Sequence, residues 1–170
     1  MNPPIGKEED QDEQWKRVLA GKIDCIGTDH SAYLHTEKAE GKDNIFKTPA
    51  GITAMQLCYP VFFDEAVNKR GMSLEQFVHM SSTAAAKMYD LYPKKGIIEI
   101  GSGADLVIFD PAAKWTVEND KLFYLEKWTP LEGRTVTGRV DETIVRGKTV
   151  YRDGEIQMEG GYGQFVAALR

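Results

Sequence analysis

The sequence predicts an α/β segment followed by an antiparallel β segment, and three observations carry that prediction. Between about residues 10 and 91 the apolar side chains step by three and four, the period of helices that bury one stripe. After Gly96 the texture changes to short β-rich runs separated by Asp-Pro, Arg-Gly and Asp-Gly pairs, which punctuate hairpins. The chain has 170 residues, fewer than the ~200 that a complete (β/α)₈ barrel needs, so a closed barrel of that kind is excluded. The boundary falls near residue 96 and defines units 1–95 and 96–170.

Residues 1–13 open on a proline-rich turn and run into a solvated acidic stretch, Lys7-Glu8-Glu9-Asp10-Gln11-Asp12-Glu13. Trp15, Val18 and Leu19 then recur at i, i+3 and i+4. With acidic residues in the first turn to complement the dipole, a helix is expected over about 10–20, stopped by Gly21. Lys22 to Thr28 reads as a short buried strand built on Ile23, Cys25 and Ile26. Residues 31–51 show no sustained period and are expected to form an irregular loop, and loops of that length inside compact domains are mostly functional. From Ile52 to about Lys69 a helix should bury Met55, Tyr59, Phe62 or Phe63, and Ala66. Pro60 inside it removes one backbone donor, which predicts a kink or a late start.

Ser73-Leu74-Glu75-Gln76 has the spacing of a capping box and opens a second helix, with Leu74, Phe77 and Val78 inward. Ser82 and Thr83 are expected to cap a third, with Ala84-Ala85-Ala86 tight against a neighbour and Met88, Tyr89 and Leu91 in the core. Pro93 and Gly96 end it. Asp105–Phe109 follows as a strand closing at the turn Asp110-Pro111, and Val136 and Val140 mark another. Thr143-Ile144-Val145 and Thr149-Val150-Tyr151 pair across Arg146-Gly147-Lys148, and Asp153-Gly154 turns the chain again before Glu155-Ile156. The tail from Gly160 to Arg170 is glycine-rich and then apolar, a segment expected to pack on a neighbour or fray.

Composition narrows the function. Lys and Arg total 21 against 26 Asp and Glu, a net charge of −5 without a basic block. That balance argues against nucleic acid or an anionic membrane surface as the main partner. Apolar residues make up 42% and charged ones 28%, the balance of a globular rather than a disordered chain. No apolar run approaches the ~20 residues of a spanning helix, and Met1-Asn2-Pro3-Pro4 lacks the pattern of a signal peptide, so a cytoplasmic location is expected. Cys25 and Cys58 form no Cys-x-x-Cys pair and read as reduced thiols with a packing role.

Chemistry concentrates at Thr28-Asp29-His30-Ser31, directly after the expected strand. A carboxylate at the C-terminal end of a buried strand is well placed to bind a metal or take a proton. A divalent cation lowers the pKa of its bound water toward ~7, and a neighbouring carboxylate then accepts that water's proton. Taken alone, Asp29 would equally well cap a turn and His30 would be an ordinary loop residue. His35 lies in the loop and His79 lies mid-helix; the three histidines form neither His-x-His nor His-Glu-x-x-His. A catalytic metal site takes three or more protein donors, and this spacing does not supply them. Gly101-Ser102-Gly103 precedes a strand instead of opening a helix, so it is a turn and not a phosphate loop. Trp15, Trp115 and Trp128 are too dispersed to stack bases.

Several segments taken together resemble the cyclic amidohydrolases, above all hydantoinases and dihydropyrimidinases. They are Lys22 to His30, Gly41-Lys42-Asp43, Pro49-Ala50-Gly51, Ser81 to Lys87, Leu91 to Gly96, Gly101 to Pro111 and Gly147 to Gly154, in family order along nearly the whole chain. The resemblance implies a metal-dependent hydrolase, with the chain supplying the last βα segment of an incomplete (β/α)₈ barrel (1–95) and part of a β-sandwich (96–170). It implies that Asp29, ending the eighth strand, binds a divalent metal, zinc above others, and serves as general base and proton shuttle. It also implies that the main chain of Ala50 meets the ring amide. Ala50 stands where hydantoinase-like patterns more often have Asn, and Ala84 where the helix usually reads Thr-Asn. The family's His-x-His, carboxylated lysine and two further histidines belong to earlier strands and are absent from these residues.

The chain is therefore expected to be the C-terminal piece of a longer enzyme that opens a hydantoin or dihydropyrimidine ring, inactive and without tightly bound metal by itself. The alternative class is a non-catalytic amidohydrolase-like scaffold or interaction module. Helices that lack their barrel neighbours also predict a homo-oligomer, with Met55, Tyr59, Phe62 and Phe63 partly buried between chains.

Overall fold

In the computed structural model, which describes residues 4–169, the acidic stretch becomes helix α1 (Glu8–Leu19). Residues 1–3 of the expected proline-rich turn, and Arg170, lie outside the described residues. Asp10 accepts a hydrogen bond from the Lys7 backbone N–H at 2.9 Å. At the other end Lys22 N–H bonds Arg17 O at 2.9 Å and Gly21 N–H bonds Val18 O at 3.0 Å, a Schellman closure centred on Gly21. Trp15 and Val18 face inward, and Trp15 stacks on Phe62 at 5.8 Å with the Arg70 guanidinium 4.2 Å from its ring.

The expected strand over 22–28 does not form. That segment has no regular secondary structure, and a strand exists only where a neighbour completes its ladder. The first backbone link of this kind comes just beyond it, a parallel bridge from His30 to Ile52. The loop over 31–51 contains two short turns of helix that its sequence did not announce, α2 (His35–Ala39) and a 3₁₀ turn at Ile45–Lys47.

Helix α3 (Met55–Phe63) begins three residues later than Ile52 and carries Pro60 within it, buried. Its hydrogen-bond ladder then widens into a π turn at Asp64–Asn68. Phe62 and Phe63 are satisfied within the chain. Phe62 lies between Trp15 and Phe77, and Phe63 meets Phe77 and Phe109 at 5.3 and 4.7 Å. Met55 and Tyr59 remain exposed.

Helix α4 (Leu74–Val78) starts as expected, with Ser73 Oγ accepting from Gln76 N–H at 3.1 Å. The reciprocal half of the capping box is not made, because Gln76 Nε2 donates to Val18 O at 2.8 Å and ties α4 to the end of α1. No cap separates a third helix. The backbone runs through a π turn at His79–Thr83 into α5 (Ala84–Met88). Ser81 Oγ donates back to Phe77 O at 2.7 Å, and Thr83 Oγ1 donates to Gly96 O at 2.7 Å. Ala84 and Ala86 are buried as expected, whereas Leu74, Val78, Met88 and Tyr89 are exposed, since no second layer covers their side of the helices.

The second half is an antiparallel meander in the order β1 (Leu106–Thr116), β2 (Thr135–Val145), β3 (Lys148–Arg152) and β4 (Glu155–Ile156). Pairing runs from Leu106 opposite Ile144 to Thr116 opposite Thr135. Asp110-Pro111 does not end β1. The strand bulges between Asp110 and Lys114, where Asp110 Oδ1 accepts from the N–H groups of Ala112 and Ala113 at 2.8 and 3.1 Å, and resumes beyond it. Arg146-Gly147 and Asp153-Gly154 each place two consecutive residues at positive φ, the twist that two-residue hairpins require.

Helix α3 sits on the sheet where Gly138 leaves room for it. At φ +116 a Cβ there would lie 2.7 Å from Phe63 and 2.8 Å from Phe109. One core cluster joins Leu57 of α3 to Val117, Leu122 and Val136 of the β half, and another gathers Ala66, Met72 and Met80 under Trp15 and Phe77. Among the described residues no helix is long and apolar enough to cross a membrane. The tail has no regular structure; Phe165 is exposed, and Leu169 N–H reaches Asp90 O at 2.6 Å.

Candidate active site

The two segments singled out in the sequence lie side by side. The His30–Ile52 bridge and a 3.0 Å bond from Ser31 N–H to Ile52 O join the chain after Asp29 to the chain after Ala50. Gly51 makes that approach possible. Its φ is +145, and a Cβ on it would stand 2.5 Å from the Ser31 Cβ. Asp29 itself is exposed and held at φ +44, a left-handed conformation that Asp and Asn tolerate better than most residues.

His30 anchors this corner. Its Nδ1 accepts from Ala54 N–H at 3.0 Å and Met55 N–H at 3.3 Å, so a neutral imidazole carries its proton on Nε2. The ring packs 5.2 Å from Tyr124, whose hydroxyl accepts from Gln56 N–H at 2.6 Å. Burial raises the Tyr124 pKa, and the backbone donors at Gln56 and Leu57 act against it. Two side chains from distant segments thus take up the first donors of α3, a helix whose own cap position is the non-capping Ala54.

The connection between β1 and β2 covers the same corner. Trp128 Nε1 donates to Tyr33 O at 2.7 Å, its ring lies 5.0 Å from His35, and its carbonyl accepts from buried Thr53 Oγ1 at 2.6 Å. Tyr124 and Trp128 escaped the sequence reading because they lie in a stretch without period or motif, and Thr53 because it sits just before α3, where helical periodicity assigns it no special place. The stretch between the Asp110-Pro111 turn and Val136, which carries no strand signal, was the available hint.

On the facing loop Lys38 Nζ donates to Pro49 O at 2.6 Å and to Gly51 O, bracketing the exposed Ala50. His35 and His79 do not join Asp29; His79 is exposed on the π turn between α4 and α5. Among the described residues no group of three or more His, Cys, Asp or Glu side chains converges, so the donors present do not fit a complete metal site. Cys25 and Cys58 are free thiols, and burial pushes the Cys58 pKa up, away from reactive thiolate. A groove of about 790 Å³ adjoins this corner at Gln56 and runs between α3 and the sheet, lined also by Trp115, Arg139 and Tyr151 among others.

The profile of the amidohydrolase family matches residues 7–150, and this chain belongs to that family. The allantoinases of Escherichia coli (strain K12 / DH10B) and Salmonella newport (strain SL254) are each 39% identical to it, over 97% of this chain and 36% of the relative. The D-hydantoinase (dihydropyrimidinase) from Thermus sp. superposes with a TM-score of 0.92 at 34% identity, covering 96% of this chain and 36% of that one. The L-hydantoinase (dihydropyrimidinase) from Arthrobacter aurescens gives 0.92 and 34%, covering 97% and 37%. The resemblance to hydantoinases read from the motifs therefore holds, and the chain spans just over a third of the length of the relatives it matches. Members of the family are generally metal-dependent.

Proposed function

We propose that this chain is the C-terminal portion of a hydrolase that opens a cyclic amide of the hydantoin or dihydropyrimidine type. The observation that supports this best is the TM-score of 0.92 to a D-hydantoinase along 96% of the chain. The five-membered hydantoin ring is the first choice of substrate, because allantoin carries that ring and allantoinases are 39% identical to this chain. In the whole enzyme residues 1–95 would complete the barrel and 96–170 would form part of a β-sandwich.

Asp29 is the proposed catalytic group. Its carboxylate takes a proton from the attacking water as the C–O bond forms, and returns it to the ring nitrogen as the C–N bond breaks. The exposed carboxylate, on a backbone fixed by the neighbouring His30, suits a group that must meet substrate in both roles. The main chain at Ala50 would meet the ring amide. A divalent metal, zinc in this proposal, would supply Lewis-acid activation. Asp29 is one candidate ligand, and the other donors would lie on polypeptide outside these 170 residues. Assembly into a homo-oligomer would cover the exposed Met55 and Tyr59.

The test is an assay of the full-length protein carrying this chain, purified with zinc, against hydantoin, allantoin and dihydrouracil. Turnover of at least one hydantoin-type ring is expected, and none from the 170-residue chain alone. A folded, zinc-loaded full-length protein that opens no ring would overturn the hydrolase reading and leave the scaffold in its place.

A further inference from the structure

We propose that Lys38 is a positioning residue that sets the main chain of Ala50 for ring binding; this rests on the assignment of Ala50 to the substrate site. Residues 41–51 contain one short 3₁₀ turn and no strand, so little in their own secondary structure fixes the peptide planes on either side of Ala50. A substrate read through backbone groups needs those planes held, because a plane that rotates offers its N–H or C=O in the wrong direction. Lys38 holds the first of them directly and anchors the chain beyond the second. From α2 its ammonium, half-buried, donates to the carbonyl of Pro49, in the plane that carries the Ala50 N–H, and to that of Gly51, in the next plane after the one that carries the Ala50 carbonyl. The first of these is 2.6 Å long.

Three further contacts aim this clamp. The Lys38 ammonium lies 5.4 Å from the centre of the Tyr33 ring, a cation–π contact that steadies the side chain. Gly41 is buried against Thr48, where an added Cβ would fall 1.4 Å from Oγ1, so the turn after α2 is pressed onto the residue before Pro49. On the far side Gly51 is pressed onto Ser31, two residues from Asp29. The loop is thus gripped at Thr48, Pro49 and Gly51, and the intervening residue, Ala50, is left exposed to solvent. An ammonium with three donors suits this task. It satisfies two carbonyls at once without a side chain of its own charge having to touch the substrate.

The experiment compares Lys38→Met and Lys38→Arg with the parent in the full-length enzyme, with kcat and KM for the best ring substrate and the thermal midpoint measured together. Met keeps most of the length and an apolar stem but removes the ammonium that makes both bonds. We expect KM to rise by about tenfold or more with kcat changed by less than about threefold, the signature of lost uniform binding. Arg should recover part of the loss, since it still donates to carbonyls. A Lys38→Met enzyme with parental KM overturns the proposal. So does one in which kcat and thermal midpoint fall together while KM stays put, which is the mark of a merely structural lysine. If the parent itself opens no ring, the functional reading fails first, and this inference falls with it.

Discussion

Removing the His30 ring should unfasten the start of α3. In His30→Ala the N–H groups of Ala54 and Met55, now 3.0 and 3.3 Å from Nδ1, lose their acceptor. Loss of a helix cap costs about 1 kcal/mol. The aromatic contact with Tyr124 at 5.2 Å adds about 0.5–1 kcal/mol. The sum is about 1.5–2 kcal/mol. Tyr124→Phe keeps the ring but deprives Gln56 N–H of its 2.6 Å acceptor, a loss of about 1 kcal/mol. Because both residues serve one helix end and touch each other, the double variant should depart from additivity. Urea unfolding of the 170-residue chain, read by circular dichroism at constant m, measures all three. His79→Ala, at an exposed position, is the control and should stay within about 0.5 kcal/mol of the parent. A His30→Ala midpoint indistinguishable from that of the control would refute the reasoning.

Acid should weaken the chain at the joint between α3 and β2. Burial pushes the Asp64 pKa up, but hydrogen bonds from Lys69 and Asn68 outweigh it and hold the group below its ordinary value. Glu65 behaves alike, with burial outweighed by hydrogen bonds from Lys69 and Arg70 and by the charges of Lys69 and Arg134. Folded values below unfolded ones mean that this stabilisation is complete above the unfolded carboxylate range, about pH 4.5, and is lost as pH falls through the folded values. The thermal midpoint should drop through that window, and Glu65→Gln should drop less steeply while starting lower; parallel curves would argue against the assignment. Gly138→Ala forces a Cβ at φ +116 to within 2.7 Å of Phe63, which should cost about 2–4 kcal/mol. A calorimetric midpoint unchanged from the parent would show that α3 does not seat there.

The parts legible in the sequence are those whose cause is local. Arg146-Gly147 and Asp153-Gly154 fix their hairpins because two-residue turns demand positive φ, and Gly21 ends α1 because a Schellman closure is made within six residues. What escaped depends on distant partners. Residues 22–28 have strand-like composition but, among the described residues, no adjacent strand, so they form no ladder. Ser82 and Thr83 have the chemistry of caps, yet the backbone donors they would serve are already bonded within a continuous helical run, and Thr83 turns to Gly96 instead. At the candidate site the same division holds. Asp29 and Ala50 could be chosen from motifs, whereas His30 as a cap, Tyr124 and Trp128 as a cover, and Lys38 as a clamp became visible only once segments far apart in the chain met.

The most direct test of the account is Asp29→Asn in the full-length enzyme. Asn tolerates the left-handed φ of +44 and nearly matches the shape of Asp, so the change removes charge and basicity with little strain. With circular dichroism and thermal midpoint unchanged, kcat for ring opening should fall by at least about a hundredfold, the contribution expected of a general acid–base. Ring opening at the parental rate by that folded variant would contradict the claim that Asp29 moves the proton.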